Sequence, residues 1–240
     1  MATGDPVTTR AMLQSPEHFP AYAAHELRGP LTLQRTLAEI ALADPNADAV
    51  TLREMGERVL ASCIRQQRLI EGLLNLARSG HGLTRQEPVD LATIATSALR
   101  AHDLRELGNA VTIDRARTIG DPDLLELLAT NLVSNATRHN VDGGRIEVAT
   151  RTQSGRAVLC IANTGPLIPA SEVQRLFQPF QRLAPHTPNT ADGFGLGLTI
   201  VQAIAGAHDA VVTAHARLSG GLTVHVAFPR SPVSWSDHLP

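Results

Sequence analysis

The sequence contains no lysine; all 21 of its basic residues are arginine. A Walker A loop, the strand lysine of eukaryotic-type protein kinases and a pyridoxal Schiff base each need an ammonium group, so none can be built from this chain. Cysteine is scarce as well. Cys63 and Cys160 stand in apolar surroundings, VLASCIR and AVLCIAN, with no His or Cys at metal-ligand spacing, and read as reduced core thiols. No apolar run approaches the roughly 18 residues of a membrane span, and the N-terminus has no apolar region of a signal peptide. An excess of charge is missing too: the net value is -2 and nothing clusters into a basic stripe, which argues against nucleic acid and direct membrane contact.

What is present suffices for a real core, with 43% of 240 residues hydrophobic. Residues 1–17, with Pro6 and Pro16, read as irregular. From His18 to Ala43 the apolar positions Leu27, Leu31, Leu33, Leu37, Ile40 and Ala41 recur at helical spacing, and Asp44-Pro45-Asn46 ends the pattern. A second helix, Ala49 to Ser79, carries a heptad seam of Leu52, Met55, Val59, Ser62, Gln66, Leu69, Leu73 and Leu76, with a further stripe of Leu60, Cys63, Ile70 and Leu74. A hairpin of two such helices cannot bury both stripes alone, which predicts a dimeric four-helix bundle.

The Gly- and Pro-bearing stretch SGHGLTRQEP reads as a linker. Beyond it strands are predicted at Ala110–Asp114, Arg145–Thr152, Arg156–Ala162, Ala210–Ala216 and Leu222–Phe228, and helices at Leu91–Ala101, Pro122–Arg138, Ser171–Phe177 and Leu196–Ala207. The expected fold class is α+β: an N-terminal antiparallel helical hairpin over 12–80, a linker over 81–89, an α/β sandwich of one sheet with helices on one face over 90–230, and a disordered tail at 231–240.

Four stretches carry chemistry. AHELRGPL places Gly29 and Pro30 inside the first helix, where glycine costs about 1 kcal/mol and proline about 3. Proline has no N–H, so the Glu26 carbonyl loses its helical donor and the axis is expected to bend just past His25. A neutral imidazole at His25 offers one ring nitrogen as a nucleophile, while Glu26 can orient the other or accept its proton. In DPDLLELLATNLVSNATRHN, Asp121 is an N-cap and Pro122 suits the first turn; Asn131 and Asn135 share a face that Arg138 and His139 continue. That asparagine pair either faces water or offers amide oxygens to a hard cation such as Mg²⁺. CIANTGPLIP ends a strand on Asn163, followed by Gly165, which either forms an ordinary turn or lets a ligand approach the backbone closely. LFQPFQRL anchors itself by Phe177 and Phe180 with Arg182 able to reach a phosphate, and DGFGLGLTIVQAIA opens a helix through Gly193, Gly195 and Gly197, an anion site by its unpaired N–H groups and dipole. No strand immediately precedes these glycines, so a Rossmann turn is disfavoured and a lid over a nucleotide fits better.

In this order the four stretches resemble the two-component sensor histidine kinases, over about residues 12 to 230. AHELRGPL is similar to their phosphoacceptor segment, NLVSNA to the asparagine motif, and the last two stretches to the glycine and phenylalanine motifs. The resemblance implies a dimerisation and phosphotransfer hairpin followed by a Bergerat-type ATP-binding domain. It implies His25 as phosphorylated nucleophile, Glu26 as its base, Asn135 on Mg²⁺, and Asn131, Arg138, His139, Asn163, Gly165, Arg182, Gly193, Gly195, Gly197 and Leu198 around ATP. It further implies a homodimer, a response regulator receiver domain as partner, and a cytoplasmic location, as a free protein or as the cytosolic portion of a membrane-anchored sensor.

The sequence departs from that pattern at three positions. Gly29 stands four residues after the histidine, where Thr or Asn is usual in kinases that also dephosphorylate their partner, so phosphatase activity is expected to be weak. Asn163 replaces the Asp that usually meets the adenine amino group, and Leu167 replaces a glycine of the same motif. These two changes motivate the alternative of a degenerate dimer that binds receiver or nucleotide without turnover.

Overall fold

The computed structural model describes residues 18–44, 47–80, 83, 85–181 and 194–230. The predicted irregular start, the loop holding Arg182 and Gly193, and the predicted tail at 231–240 lie outside the described residues. The chain divides into two units, Met1–Leu73 and Leu74–Pro240. Among the described residues no helix is long and apolar enough to cross a membrane.

The first unit is built from helix α1 (His18–Ala43) and most of helix α2 (Ala49–Gly80). Their termini match the predicted spans to within one residue. α1 runs unbroken through Gly29 and Pro30. Asp48 starts α2 as its N-cap: its side chain accepts from the Thr51 N–H at 2.7 Å, satisfying one of the donors a helix start leaves over. Leu37, Leu69 and Ser62 are buried. Leu31, Leu33, Ile40, Leu52, Leu60 and Ile64 remain exposed on a single hairpin. Those faces are the apolar surplus that the double stripe predicted.

The second unit starts with a pair of short strands that the sequence patterns do not show. β1 (Glu87–Asp90) pairs antiparallel with β3 (Arg117–Gly120), Glu87 opposite Gly120 and Asp90 opposite Arg117. The linker expected over 81–89 therefore ends before residue 87, where β1 begins. Four residues are too few for a period to register, and Pro88 lowers the strand signal. Asp90 then caps helix α3 (Leu91–Arg100): its Oδ1 accepts from the N–H groups of Ala92 and Ala116, both at 3.0 Å.

The main sheet has the order β2 (Gly108–Ile113), β4 (Arg145–Gln153), β5 (Arg156–Asn163), β7 (Leu222–Ala227), β6 (Val211–Ala216). β2 and β4 run parallel and the other neighbours antiparallel. Period-two alternation puts Ile146, Val148, Leu159, Ile161, Val224 and Val226 on one face, all buried beneath α3 and helices α4 (Pro122–Arg138) and α5 (Gly197–Ala207). Each such side chain contributes about 1.5–3 kcal/mol by leaving water. The segment predicted as a helix at 171–177 is a 3₁₀ helix, Ala170–Phe177, buried through Val173 and Phe177. The sandwich of one sheet with helices on one face is as expected, and it leaves the ends of α4, β5 and α5 to build a site.

Candidate functional site

α4 is the spine of this region. Asp121 caps it, with Oδ1 accepting from the N–H groups of Asp123 at 3.0 Å and Leu124 at 3.3 Å. The backbone N–H of Asp121 itself donates to Nε2 of His208 at 3.0 Å, and Nδ1 of His208 donates to the Ile204 carbonyl at 2.8 Å. The ring therefore joins the end of α5 to the start of α4 and must be neutral to do both. Burial pushes its pKa below the usual histidine value, outweighing the Ile204 hydrogen bond and the carboxylates of Asp121 and Asp209 that favour the charged form. Gly120 makes room for it: a Cβ there would lie 2.6 Å from His208 Cδ2.

The face of α4 that carries the asparagines meets the start of α5. Asn131 spends its NH₂ on the Leu127 carbonyl at 2.8 Å, and a Cβ on Gly197 would lie 3.5 Å from its Oδ1. Half-buried Asn135, one turn on, has no side-chain hydrogen bond among the described residues, so its amide oxygen is available to a ligand. Among the described residues no side chain caps the N-terminus of α5, where Leu196 is the N-cap residue, and the first N–H groups and the positive end of the helix dipole there suit an anion. Leu198 lies in that first turn with its side chain buried, so only its backbone is placed to meet a ligand.

Arg138 and His139 sit exposed at the C-terminal end of α4. Here the end of β5 closes against them. Asn163 is buried, and its NH₂ donates to the carbonyls of Thr164 at 2.6 Å and His139 at 3.4 Å. Turning the amide over would set its oxygen against two carbonyl oxygens, so the NH₂ is fixed on that side and Oδ1 on the opposite side of the amide. Gly165 fits because nothing larger can: a Cβ would lie 2.6 Å from the His139 carbonyl oxygen. Thr164 Oγ1 donates to Asn140 Oδ1 at 2.5 Å and accepts from the Arg145 N–H at 2.7 Å, pinning the same loop. Leu167, beyond it, is exposed.

Across the site, buried Thr199 in the first turn of α5 donates to the Phe177 carbonyl at 3.1 Å, and the Phe180 N–H donates to the Gly195 carbonyl at 3.1 Å. Gly195 has φ +67°, and a Cβ there would sit 2.7 Å from the Gln181 carbonyl oxygen. Only glycine satisfies both conditions. Thus Asn131 and Gly197, His139 with Asn163 and Gly165, and Phe180 with Gly195 are brought together, each pair from different elements. Arg182 and Gly193 lie outside the described residues. His25 and Glu26 are on α1, in the other unit. Sequence reasoning missed His208 and the Asn140–Thr164 pair, whose partners are distant in the chain and have no local signature.

The donors suit a magnesium nucleotide. Among the described residues no group of three or more His, Cys, Asp or Glu could hold a metal alone. A cation here would draw on the Asn135 oxygen together with phosphate oxygens and water, the usual arrangement for Mg²⁺.

Comparison with known proteins agrees with this geometry. Residues 120–232 match the model of histidine kinase-, DNA gyrase B- and HSP90-like ATPases, and residues 17–82 the His Kinase A phosphoacceptor domain. Sensor protein CutS of Streptomyces coelicolor is 43% identical over 218 residues, 89% of this chain and 52% of that protein. Sensor protein kinase PmrB of Pseudomonas aeruginosa is 33% identical over 231 residues, 92% of this chain and 47% of that protein. The chain spans about half the length of the curated relatives it matches. Among solved structures, the Acinetobacter baumannii histidine kinase AdeS superposes with a TM-score of 0.65 at 21% identity, covering 86% of this chain and 98% of that one, which is a likeness of fold. The mycobacterial sensor histidine kinase MprB superposes at 0.53 with 29% identity, covering 62% and 99%. With the phosphoacceptor domain followed by the ATPase domain and relatives at these identities, the chain belongs to the two-component sensor histidine kinases.

Proposed function

We propose that the chain is an ATP-dependent protein-histidine kinase that phosphorylates itself on His25 and passes the phosphoryl group to an aspartate of a response regulator. The observation that carries this reading is the half-buried Asn135 amide, without a side-chain hydrogen bond among the described residues, on the same helix face as Asn131, which lies against Gly197 at the start of α5. That arrangement suits a triphosphate, and the chain carries a His-Glu pair on a separate helical unit to receive the phosphoryl group.

In this mechanism a neutral ring nitrogen of His25 attacks the γ-phosphorus. An N–P bond forms as the bond to the β,γ-bridging oxygen breaks, ADP leaves, and Glu26 takes the imidazole proton. Asn135 would hold Mg²⁺, which neutralises charge on the phosphates. Asn131 and the backbone N–H groups of Gly195, Gly197 and Leu198 line the phosphate path, joined by Arg182 and Gly193. Arg138, His139 and Gly165 line the nucleotide, and Asn163 Oδ1 accepts from the exocyclic amino group of adenine. In the second half the receiver carboxylate attacks phosphorus and the N–P bond breaks. Gly29 has no side chain to place a water, so removal of phosphate from the receiver is weak.

The exposed leucines and isoleucines of α1 and α2 support a homodimer, because a second hairpin would cover them in a four-helix bundle. The same reading places the chain in the cytoplasm, as a free protein or as the cytosolic portion of a membrane-anchored sensor. Asn163 and the exposed Leu167 favour the second reading, a binding-only dimer.

Incubation with Mg²⁺ and γ-labelled ATP separates the two. The kinase gives an acid-labile, alkali-stable label that is lost in His25→Gln. Label persisting in that variant removes the proposed acceptor, and no label in the wild type promotes the binding-only dimer.

A further inference from the structure

Six of the eight residues of the α2 seam are apolar; Ser62 and Gln66 are not. They sit one helical turn apart, on one face, and both meet α1 at the same residue. Gln34 Nε2 donates to Gln66 Oε1 at 2.8 Å and to Ser62 Oγ at 3.2 Å, and Ser62 Oγ donates to the Pro30 carbonyl at 3.4 Å. Ser62 is fully buried, and apolar layers lie beside the cluster at Leu37 and Leu69. Leucine or alanine at these positions would suit a helix seam at least as well, since buried polar groups seldom add net stability over apolar ones of similar size. Their contribution is discrimination between registers.

The alternatives are built into α1. At about 100° per residue, Leu31 lies about 60° around the helix from Gln34 and Leu33 about 100° on the other side. Both are exposed in the hairpin, at 56% and 44%. Turning α1 by either angle would present a leucine to the seam in place of Gln34. An all-apolar seam would accept that. The polar seam would not, because Ser62 would lose its amide partner while still buried. Position 25 lies nine residues before Gln34, about half a turn round, and is carried by any such rotation. The cluster also reaches Pro30, whose carbonyl supplies one acceptor.

We propose that Gln34, Ser62 and Gln66 are positioning residues that hold α1 in one rotational setting against α2 and so fix the direction in which residue 25 is presented. The role rests on the kinase reading above; the register lock itself does not. Loss of the Gln34 to Gln66 bond relaxes the setting, and because one such bond shifts an equilibrium by about threefold to tenfold, the phosphorylation-competent fraction changes by that factor.

The test uses the full chain and two readouts. In autophosphorylation, Gln34→Leu and Gln66→Leu change kcat about threefold to tenfold with the KM for ATP unchanged and no fall in melting temperature, while Gln66→Glu, which still accepts from Gln34, stays within about twofold of wild type. In parallel, nitroxide labels at Arg35→Cys and Glu57→Cys, in a Cys63→Ser, Cys160→Ser background diluted with unlabelled chain, report the spacing of α1 and α2. One distance in the parent and a second population in Gln34→Leu supports the lock. An unchanged single distance in both leucine variants overturns it, as does a Gln66→Glu variant as impaired as Gln66→Leu. A wild type that forms no phosphohistidine refutes the kinase reading, and the distance distributions then decide the lock alone.

Discussion

His208 makes the ATP-binding unit sensitive to mild acid, and the size of the effect can be worked out. Its Nε2 accepts the Asp121 N–H and its Nδ1 donates to Ile204. A proton on Nε2 would face that N–H head-on. Burial, the largest influence, holds the folded-state pKa below the ordinary value. The unfolded chain therefore takes up the proton first, at about pH 6.5. Stability from this ring is complete above that pH and is lost as the pH falls towards the folded-state pKa. Between pH 7.5 and 5.5 a folded state that takes no proton loses about 1.4 kcal/mol, one tenfold step in the equilibrium. For a unit of this size that is a drop of about 3–5 °C in melting temperature. Other groups titrate over the same range, His225 among them, also pushed down by burial. The comparison with His208→Gln removes them: a glutamine oxygen can still accept from Asp121, but nothing titrates. Urea unfolding followed by circular dichroism at the two pH values should show a loss smaller by about 1 kcal/mol in the variant. Equal losses in variant and wild type would refute the argument.

Three further outcomes are expected. Gly165→Ala sets a Cβ 2.6 Å from the His139 carbonyl and 3.3 Å from Asn163 Nδ2; calorimetry with a non-hydrolysable ATP analogue should show binding weakened by at least tenfold, and unchanged affinity would contradict the placing of the base beside that loop. Asp121→Ala removes the acceptor for the Asp123 and Leu124 N–H groups and should cost about 1 kcal/mol in urea unfolding, with up to 2 within reach of a single cap. Pro30→Ala returns an N–H to the Glu26 carbonyl and should raise the melting temperature of the hairpin while changing the rates of autophosphorylation and transfer; unchanged rates would contradict a functional role for Pro30.

The helices were legible because their signals are local. α1 and α4 match their predicted spans, since the end of α1 follows from Asp44-Pro45 and the start of α4 from Asp121-Pro122, a cap and a first-turn proline adjacent in sequence. The five strands of the main sheet are seen to within about two residues because alternation runs through them. β1 and β3 escaped for the opposite reason: four residues each, they are strands only because each pairs with the other, some 30 positions away. At the site, residue types could be read but not their commitments. Nothing in AGAHDA reveals that His208 accepts from a backbone amide 87 residues earlier, and nothing in IANTG reveals that the Asn163 amide is already held by two carbonyls. Tertiary contacts of this kind override local pattern wherever a side chain finds its partner in another element.

That commitment of Asn163 bears on what the replacement of Asp by Asn does. A free amide could turn over and present either its oxygen or its NH₂ to a base, so it would accept adenine and a 6-oxo purine alike. Here the NH₂ is spent inside the protein; in the proposed function only the oxygen is then left for the base, so a 6-oxo group would meet lone pair with lone pair. In that proposal the selectivity of a carboxylate would be kept while its charge is lost, and charge-assisted hydrogen bonds are roughly twice as strong as neutral ones. Restoring the acid is therefore not a simple gain. In Asn163→Asp a carboxylate oxygen would replace the NH₂ at 2.6 Å from the Thr164 carbonyl, trading a donor for a repulsion in a buried place. Competition binding should find adenine preferred over guanine nucleotide in the wild type, and Asn163→Asp should lower the melting temperature in the absence of nucleotide even if its affinity for ATP rises. A wild type that binds GTP as well as ATP would show that the amide does turn, and the hydrogen bonds to Thr164 and His139 would then not be the reason for its orientation.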